Sequence, residues 1–220
     1  MKIGVFGGTF NPIHFGHLRA AEEARELLGL EKVLFVPSGN PPLKSIDLAD
    51  AAQRYEMVRQ AVSANLFFEV LDIECASVEK SYTVHTIERL QEMYPGASLY
   101  FMLGVDAFID LPNWYMPEKL VSIVNFAVLS RPSSKFSDLI TSPHMKVDRA
   151  KMEELDRCRN GSFTVALPSG REAVLLWTTP FGVASTDIRR RIKEGLSVKY
   201  LLPAEVESFI ISNRIYFPDR

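Results

Sequence analysis

The chain has 220 residues, of which 47% are apolar and 24% charged, and a net charge of −2. That suits one soluble α/β domain able to bury a core without staples. The near-zero charge excludes a global pull toward nucleic acid or an anionic membrane, so any phosphate site must be local.

The start, Met1-Lys2-Ile3-Gly4-Val5-Phe6, runs into a strand pattern over Lys2–Phe6 and carries no secretory-signal pattern. Leu18, Ala21, Ala24 and Leu28 then recur at helical spacing, and Lys32–Pro37 reads as a second strand, which makes a βαβ unit. Asp47–Asn65 predicts a helix with Tyr55, Val58 and Val62 on one face, and Phe67–Ile73 a strand. Thr83–Tyr94 predicts a helix closed by Pro95-Gly96, followed by a strand over Ser98–Leu103. Pro117–Val121 reads as helical, Asn125–Leu129 and Val174–Trp177 as strands, and Thr186–Glu194 as a helix ended by Gly195. Pro203 opens a final helix running to Ser212. No apolar run approaches the roughly 18 residues needed to span a bilayer. Cys75 and Cys158 form no CxxC pair and read as reduced structural cysteines, which points to the cytoplasm.

This order predicts an α/β fold with a doubly wound, mostly parallel, Rossmann-like sheet, in a single domain over residues 1–220. The polar stretch Ser133–Gly170, charge-rich over Lys151–Arg159, reads as an exposed helix or excursion and receives no role. Ligands on such sheets bind at the carboxyl ends of the strands, where Gly7–His17, Pro37–Lys44, Gly104–Asp106, Arg131 and Ala184–Arg189 mostly lie.

Two segments carry the chemistry. Gly7-Gly8-Thr9-Phe10-Asn11-Pro12-Ile13-His14-Phe15-Gly16-His17 follows a strand and opens a helix, where backbone N–H groups and the helix dipole favour phosphate. It is neither GxGxxG nor a lysine-bearing P-loop. His14 and His17 stand in the lysine's place as donors to phosphate oxygens, with a metal-binding pair the lesser alternative. Ser185-Thr186-Asp187-Ile188-Arg189 opens a second helix, in which Ser185 or Thr186 would be the cap and Arg189 would neutralise charge on a transferring phosphoryl group. Arg190 and Arg191 read as surface pairs.

These segments resemble the HxGH nucleotidyltransferase superfamily, and within it the bacterial nicotinate-nucleotide adenylyltransferase family. VPSGNPPLK at 36–44, Ser81-Tyr82-Thr83, Leu103-Gly104-Val105-Asp106, Leu111-Pro112-Asn113-Trp114-Tyr115, Arg131-Pro132 and Asn213-Arg214-Ile215-Tyr216 extend the likeness. It implies transfer of AMP from ATP to nicotinate mononucleotide. Catalysis would fall to His14, His17 and Arg189, and ATP would also meet Gly8, Thr9, Phe10, Gly104, Asp106, Ser185 and Thr186. Nicotinate mononucleotide would meet Asn40, Lys44, Thr83, Trp114, Tyr115 and Arg131, with Trp114 stacking on the ring. Magnesium would arrive with ATP rather than in a protein cage, no nucleic acid or membrane is implied, and a homo-oligomer stays open. Two departures stand out: Asn11, where many members have Asp, with little change expected, and Leu43, where the PPHK form of the loop has histidine. Nicotinamide mononucleotide or phosphopantetheine as acceptor, CTP as donor, and a nucleotide sensor without turnover are the competing readings.

Overall fold

The computed structural model describes residues 1–41, 47–76, 80–132, 134–158 and 161–218. A seven-stranded sheet runs in the order β3-β2-β1-β4-β5-β7-β6. Its strands are β1 (Lys2–Gly8), β2 (Lys32–Pro37), β3 (Phe68–Val70), β4 (Ser98–Gly104), β5 (Asn125–Leu129), β6 (Ser162–Ala166) and β7 (Glu172–Leu176). β1 pairs with β4, β4 with β5 and β5 with β7 in parallel, while β6 runs antiparallel to β7. The helices are α1 (Phe15–Leu28), α2 (Ala51–Val62), α3 (Thr83–Met93), α4 (Val105–Ile109), α5 (Pro117–Ile123), α6 (Arg149–Cys158), α7 (Ser185–Lys193) and α8 (Ala204–Ser212), with 3-10 turns at Leu111–Asn113 and Phe136–Thr141.

The predicted α/β class and mostly parallel sheet are what the chain forms. The central strands are buried almost without alternation: Leu99 to Leu103 in β4 and Phe126 to Leu129 in β5 are all 5% exposed or less. Parallel strands covered on both faces require such continuous apolar runs. The strand order reverses between β1 and β4. β3 is shorter than its predicted seven residues, because Leu71 leaves the strand and donates to the Phe35 carbonyl.

The stretch at 133–170 is more than an excursion. It supplies β6 and buries Phe136, Leu139, Met145, Met152, Val165 and Leu167. Its register pairs Phe163 with Leu175 and Val165 with Ala173. Sparse apolar residues among many charges hid that strand from the sequence pattern. α6 is the exposed, charged helix expected there, held by Asp156, which accepts from the Phe136 and Ser137 N–H groups at 2.8 and 3.1 Å.

Two compact units can be distinguished. The first comprises residues 1–6, 20–33 and 82–180, and the second residues 7–19, 34–81 and 181–220. In the first, the Tyr100 hydroxyl donates to the Glu172 carboxylate at 2.5 Å. Burial, then the carboxylate, pushes the Tyr100 phenol up to about 12. Because the folded value lies above the unfolded one of about 10, the stabilisation is whole below pH ~10 and is lost as pH rises toward ~12. Tyr100→Phe should therefore flatten the fall of the thermal midpoint across that window. An unchanged alkaline limb in the variant would rule out this bond as its source.

No helix among the described residues is long and apolar enough to cross a membrane.

Candidate active site

In the second unit, the strand-to-helix turn is built around Phe10. Its φ of 46° is a left-handed conformation that a bulky residue rarely adopts. Burial anchors the strained turn: Phe10 is 3% exposed, with its ring 5.9 Å from Phe35 and edge-on to His17 at 5.2 Å. His14 and His17 lie one turn apart and stack, centroid to centroid, at 3.7 Å. The His14 N–H donates to His17 Nδ1 at 3.3 Å. A ring nitrogen that accepts carries no proton, so the neutral His17 ring holds its proton on Nε2. Gly16 leaves room for His14: a Cβ there would lie 3.1 Å from that ring and 3.4 Å from Phe181.

α7 is tied to the same turn. The Ser185 hydroxyl donates to the Pro12 carbonyl at 2.8 Å, and Arg189 Nη1 to the Asn11 carbonyl at 2.8 Å. Ser185 and Thr186 were expected as caps, but the cap position is Ala184, which makes no side-chain bond. The Ser185 hydroxyl is spent instead on joining the two phosphate-type segments. Arg189 Nε is buried with no hydrogen-bond partner among the described residues. Thr186 and Arg189 help line a cleft of about 280 Å³ with Asp47, Arg190, Lys193 and Glu194.

The arginine run divides as the spacing predicts. Arg190 donates to Asp187 at 2.5 Å and to Glu194 at 2.7 Å, and Arg191 to Asp187 at 3.1 Å. The bond from Arg190, then that from Arg191, holds the Asp187 carboxyl below the usual range. Both neighbours are thus occupied, and Arg189 alone turns to the Gly-rich turn.

Asn11 does more than shape the turn. Its Oδ1 accepts from the Ala49 N–H at 3.1 Å and the Tyr216 hydroxyl at 2.6 Å, and its Nδ2 donates to the Asp47 carbonyl at 2.9 Å. Burial pushes the Tyr216 phenol above its ordinary value, so the hydroxyl stays a donor. Asn11→Ala would leave two buried polar groups and one part-buried carbonyl short of a partner. We expect a loss of about 2–4 kcal/mol, read from the urea midpoint at unchanged m-value. A loss below about 0.5 kcal/mol would contradict this accounting.

Asn40 lies nearby in sequence to β2. Its N–H and that of Gly39 donate to the Ser81 hydroxyl at 3.2 and 3.0 Å, and its carbonyl accepts from the Ser81 N–H at 3.0 Å. Lys44 and Leu43 lie outside the described residues.

In the first unit, Gly104 ends β4 and opens α4. A Cβ there would collide with both Arg131 and Asp106. The gap lets the exposed Asp106 carboxylate stand 3.7 Å from Arg131. Thr83 begins α3 next to Tyr82, whose ring stacks on Tyr115 at 4.4 Å, with His85 5.6 Å from Tyr115. Trp114 is held apart from that stack. Its Nε1 donates to Asp110 at 3.2 Å, and its ring meets the edge of Phe101 at 6.2 Å. His85 pairs with Glu88 on the surface, and Trp177 donates to the Leu155 carbonyl at 2.6 Å. Among the described residues, no group of three or more His, Cys, Asp or Glu could hold a metal ion.

Comparison with known proteins fits this arrangement. A Cytidylyltransferase-like family model matches residues 5–191. A curated relative from Desulfitobacterium hafniense (strain Y51), named "Probable nicotinate-nucleotide adenylyltransferase", is 41% identical over 98% of this chain and 95% of its own. The chain belongs to the nicotinate-nucleotide adenylyltransferase family. Another relative with that name, from Geobacter sulfurreducens, is 37% identical with all of both chains covered. Among solved structures, the Plasmodium falciparum nicotinic acid mononucleotide adenylyltransferase complexed with NaAD superposes with a TM-score of 0.72 at 19% identity. It covers 98% of this chain and 97% of that one, a likeness of fold.

Sequence reading missed Arg54, Ser81 and Tyr216 as parts of this framework. Arg54 had a signal: it stands with Met57, Val58 and Val62 on the buried face of α2, where an arginine is out of place unless fully bonded.

Proposed function

We propose that the chain transfers the AMP unit of ATP to nicotinate mononucleotide, forming deamido-NAD and pyrophosphate. The observation that carries this reading is the tie between the two phosphate-type segments. The stacked His14–His17 pair and the α7 residues Ser185 and Arg189 are fixed to one another through the carbonyls of Asn11 and Pro12. A pure nucleotide binder needs one phosphate-holding element, whereas a transfer reaction needs cationic and N–H groups around both the reacting phosphorus and the leaving group.

A phosphate oxygen of nicotinate mononucleotide attacks the α-phosphorus of ATP in line, and the bond from that phosphorus to the β-phosphate oxygen breaks. Pyrophosphate leaves with the electron pair. The acceptor phosphate has a second pKa of about 6, so it is mostly dianionic at pH 7 and needs no general base. No covalent intermediate forms. Magnesium enters as part of the MgATP substrate. His14 and His17 act on the phosphates as hydrogen-bond donors and Arg189 as a cation, with Ser185 and Thr186 beside them. The backbone of Gly8, Thr9 and Phe10 lies beside the α-phosphate. Gly104 and Asp106 receive the adenosine, Asp106 accepting from its ribose. Asn40, Lys44, Thr83, Trp114, Tyr115 and Arg131 receive the nicotinate nucleotide. The small, charged substrates fit a cytoplasmic enzyme.

The test is pyrophosphate release with MgATP and nicotinate mononucleotide, nicotinamide mononucleotide or phosphopantetheine in parallel, and with CTP replacing ATP. Release that is fast with ATP and the nicotinate compound and slow in the other tubes is the expected result. Release with none of them, from folded protein that binds ATP, would overturn the reading in favour of a sensor.

A further inference from the structure

Arg54 is the largest fully buried side chain among the described residues, at 0% exposure. Its guanidinium meets backbone carbonyls rather than a carboxylate. Nε donates to Ala49, Nη1 to Thr9 and Nη2 to Gly39, each at 2.9 Å. Burial pushes its pKa down from the ordinary arginine value, but a guanidinium starts so high that it keeps its charge. Charge-assisted bonds of this kind are stronger than neutral ones, and their fork geometry is fixed.

Two of these carbonyls lie in the loops assigned to substrate phosphates. A trans peptide is planar, so its C=O and its N–H point in opposite directions. By drawing the Thr9 carbonyl inward, Arg54 sets the direction of the Phe10 N–H in the strained Gly-rich turn. Through the Gly39 carbonyl it sets the Asn40 N–H, which the Ser81 hydroxyl then receives at 3.2 Å.

We propose that Arg54 and Ser81 form one positioning device that orients the peptide units at 9–10 and 39–40 for nucleotidyl transfer while touching no substrate. The device rests on the activity proposed above. Its elements span four places in the chain: the turn after β1, the segment after β2, helix α2 and the residue two before α3. Helix α2 thereby reaches both loops through one buried residue.

Kinetics of Arg54→Lys and Ser81→Ala test this, against Met57→Ala as a control with matched loss of buried packing on α2. Arg54→Lys keeps the charge but cannot span three carbonyls. We expect its kcat to fall at least about 30-fold, as loss of alignment by a fraction of an ångström does. Met57→Ala, at a similar melting temperature, should stay within about threefold. Ser81→Ala should melt like the wild type and raise KM for nicotinate mononucleotide about tenfold or more. An Arg54→Lys loss no larger than that of Met57→Ala overturns the device. So does an unchanged KM in Ser81→Ala, which also decides the matter if Arg54→Lys does not fold. If the wild type itself releases no pyrophosphate, the proposed function fails, and MgATP affinity becomes the readout. Weaker binding in Arg54→Lys than in Met57→Ala then supports the device, and equal binding overturns it.

Discussion

His17→Ala should lower kcat by at least about 100-fold with little change in the melting temperature. His17 sits in the first turn of α1, where alanine is a better helix former than histidine, so the helix itself does not suffer. The side chain loses three things at once: the acceptor for the His14 N–H, the ring stacked on His14, and the edge contact with Phe10. All three orient the imidazole, and the bond accepted by Nδ1 leaves the proton on Nε2. A donor aimed at a leaving group gains strength as charge develops there, which places the loss in kcat rather than KM. Steady-state kinetics with saturating MgATP and nicotinate mononucleotide would decide it, and an unchanged kcat in folded protein would remove His17 from the transition state.

Trp114→Ala should raise KM for nicotinate mononucleotide about tenfold or more, since stacking of an aromatic ring on indole contributes ~1–3 kcal/mol. The KM for ATP should stay put and kcat should change little. Trp114 is suited to such a platform because it is already fixed. Its N–H is bound to Asp110, one ring edge meets Phe101, and the 3-10 turn Leu111–Asn113 sets its backbone. Little conformational entropy is then lost when a ring docks. A rise in KM for ATP alone would move Trp114 out of the acceptor site.

The sequence made the fold legible where its strands are buried on both faces. β2 and β5 fell on their predicted limits, and β4 ran one residue further, because uninterrupted apolar runs bounded by Gly, Pro or Asn have few other readings. β6 was illegible for the opposite reason: of its five residues only Val165 is buried, and an edge strand needs no apolar run. In the candidate site, the residues that carry charge or rings announced themselves by motif. The framework did not. Arg54 and Ser81 act on backbone groups, and Tyr216 on the Asn11 side-chain amide, mostly of residues far off in the chain, and such partners leave no local spacing to read. Asn11 shows the same limit, since little was expected of its identity while its amide bonds three groups of the second unit.

The bond from the Tyr216 hydroxyl to Asn11 spans 205 positions of chain. The Gly-rich turn therefore leaves the ribosome 205 residues before the hydroxyl that supports it. Until then the Asn11 amide lacks its shortest contact. A chain that stops after Arg189 carries every phosphate-type motif but not this bond.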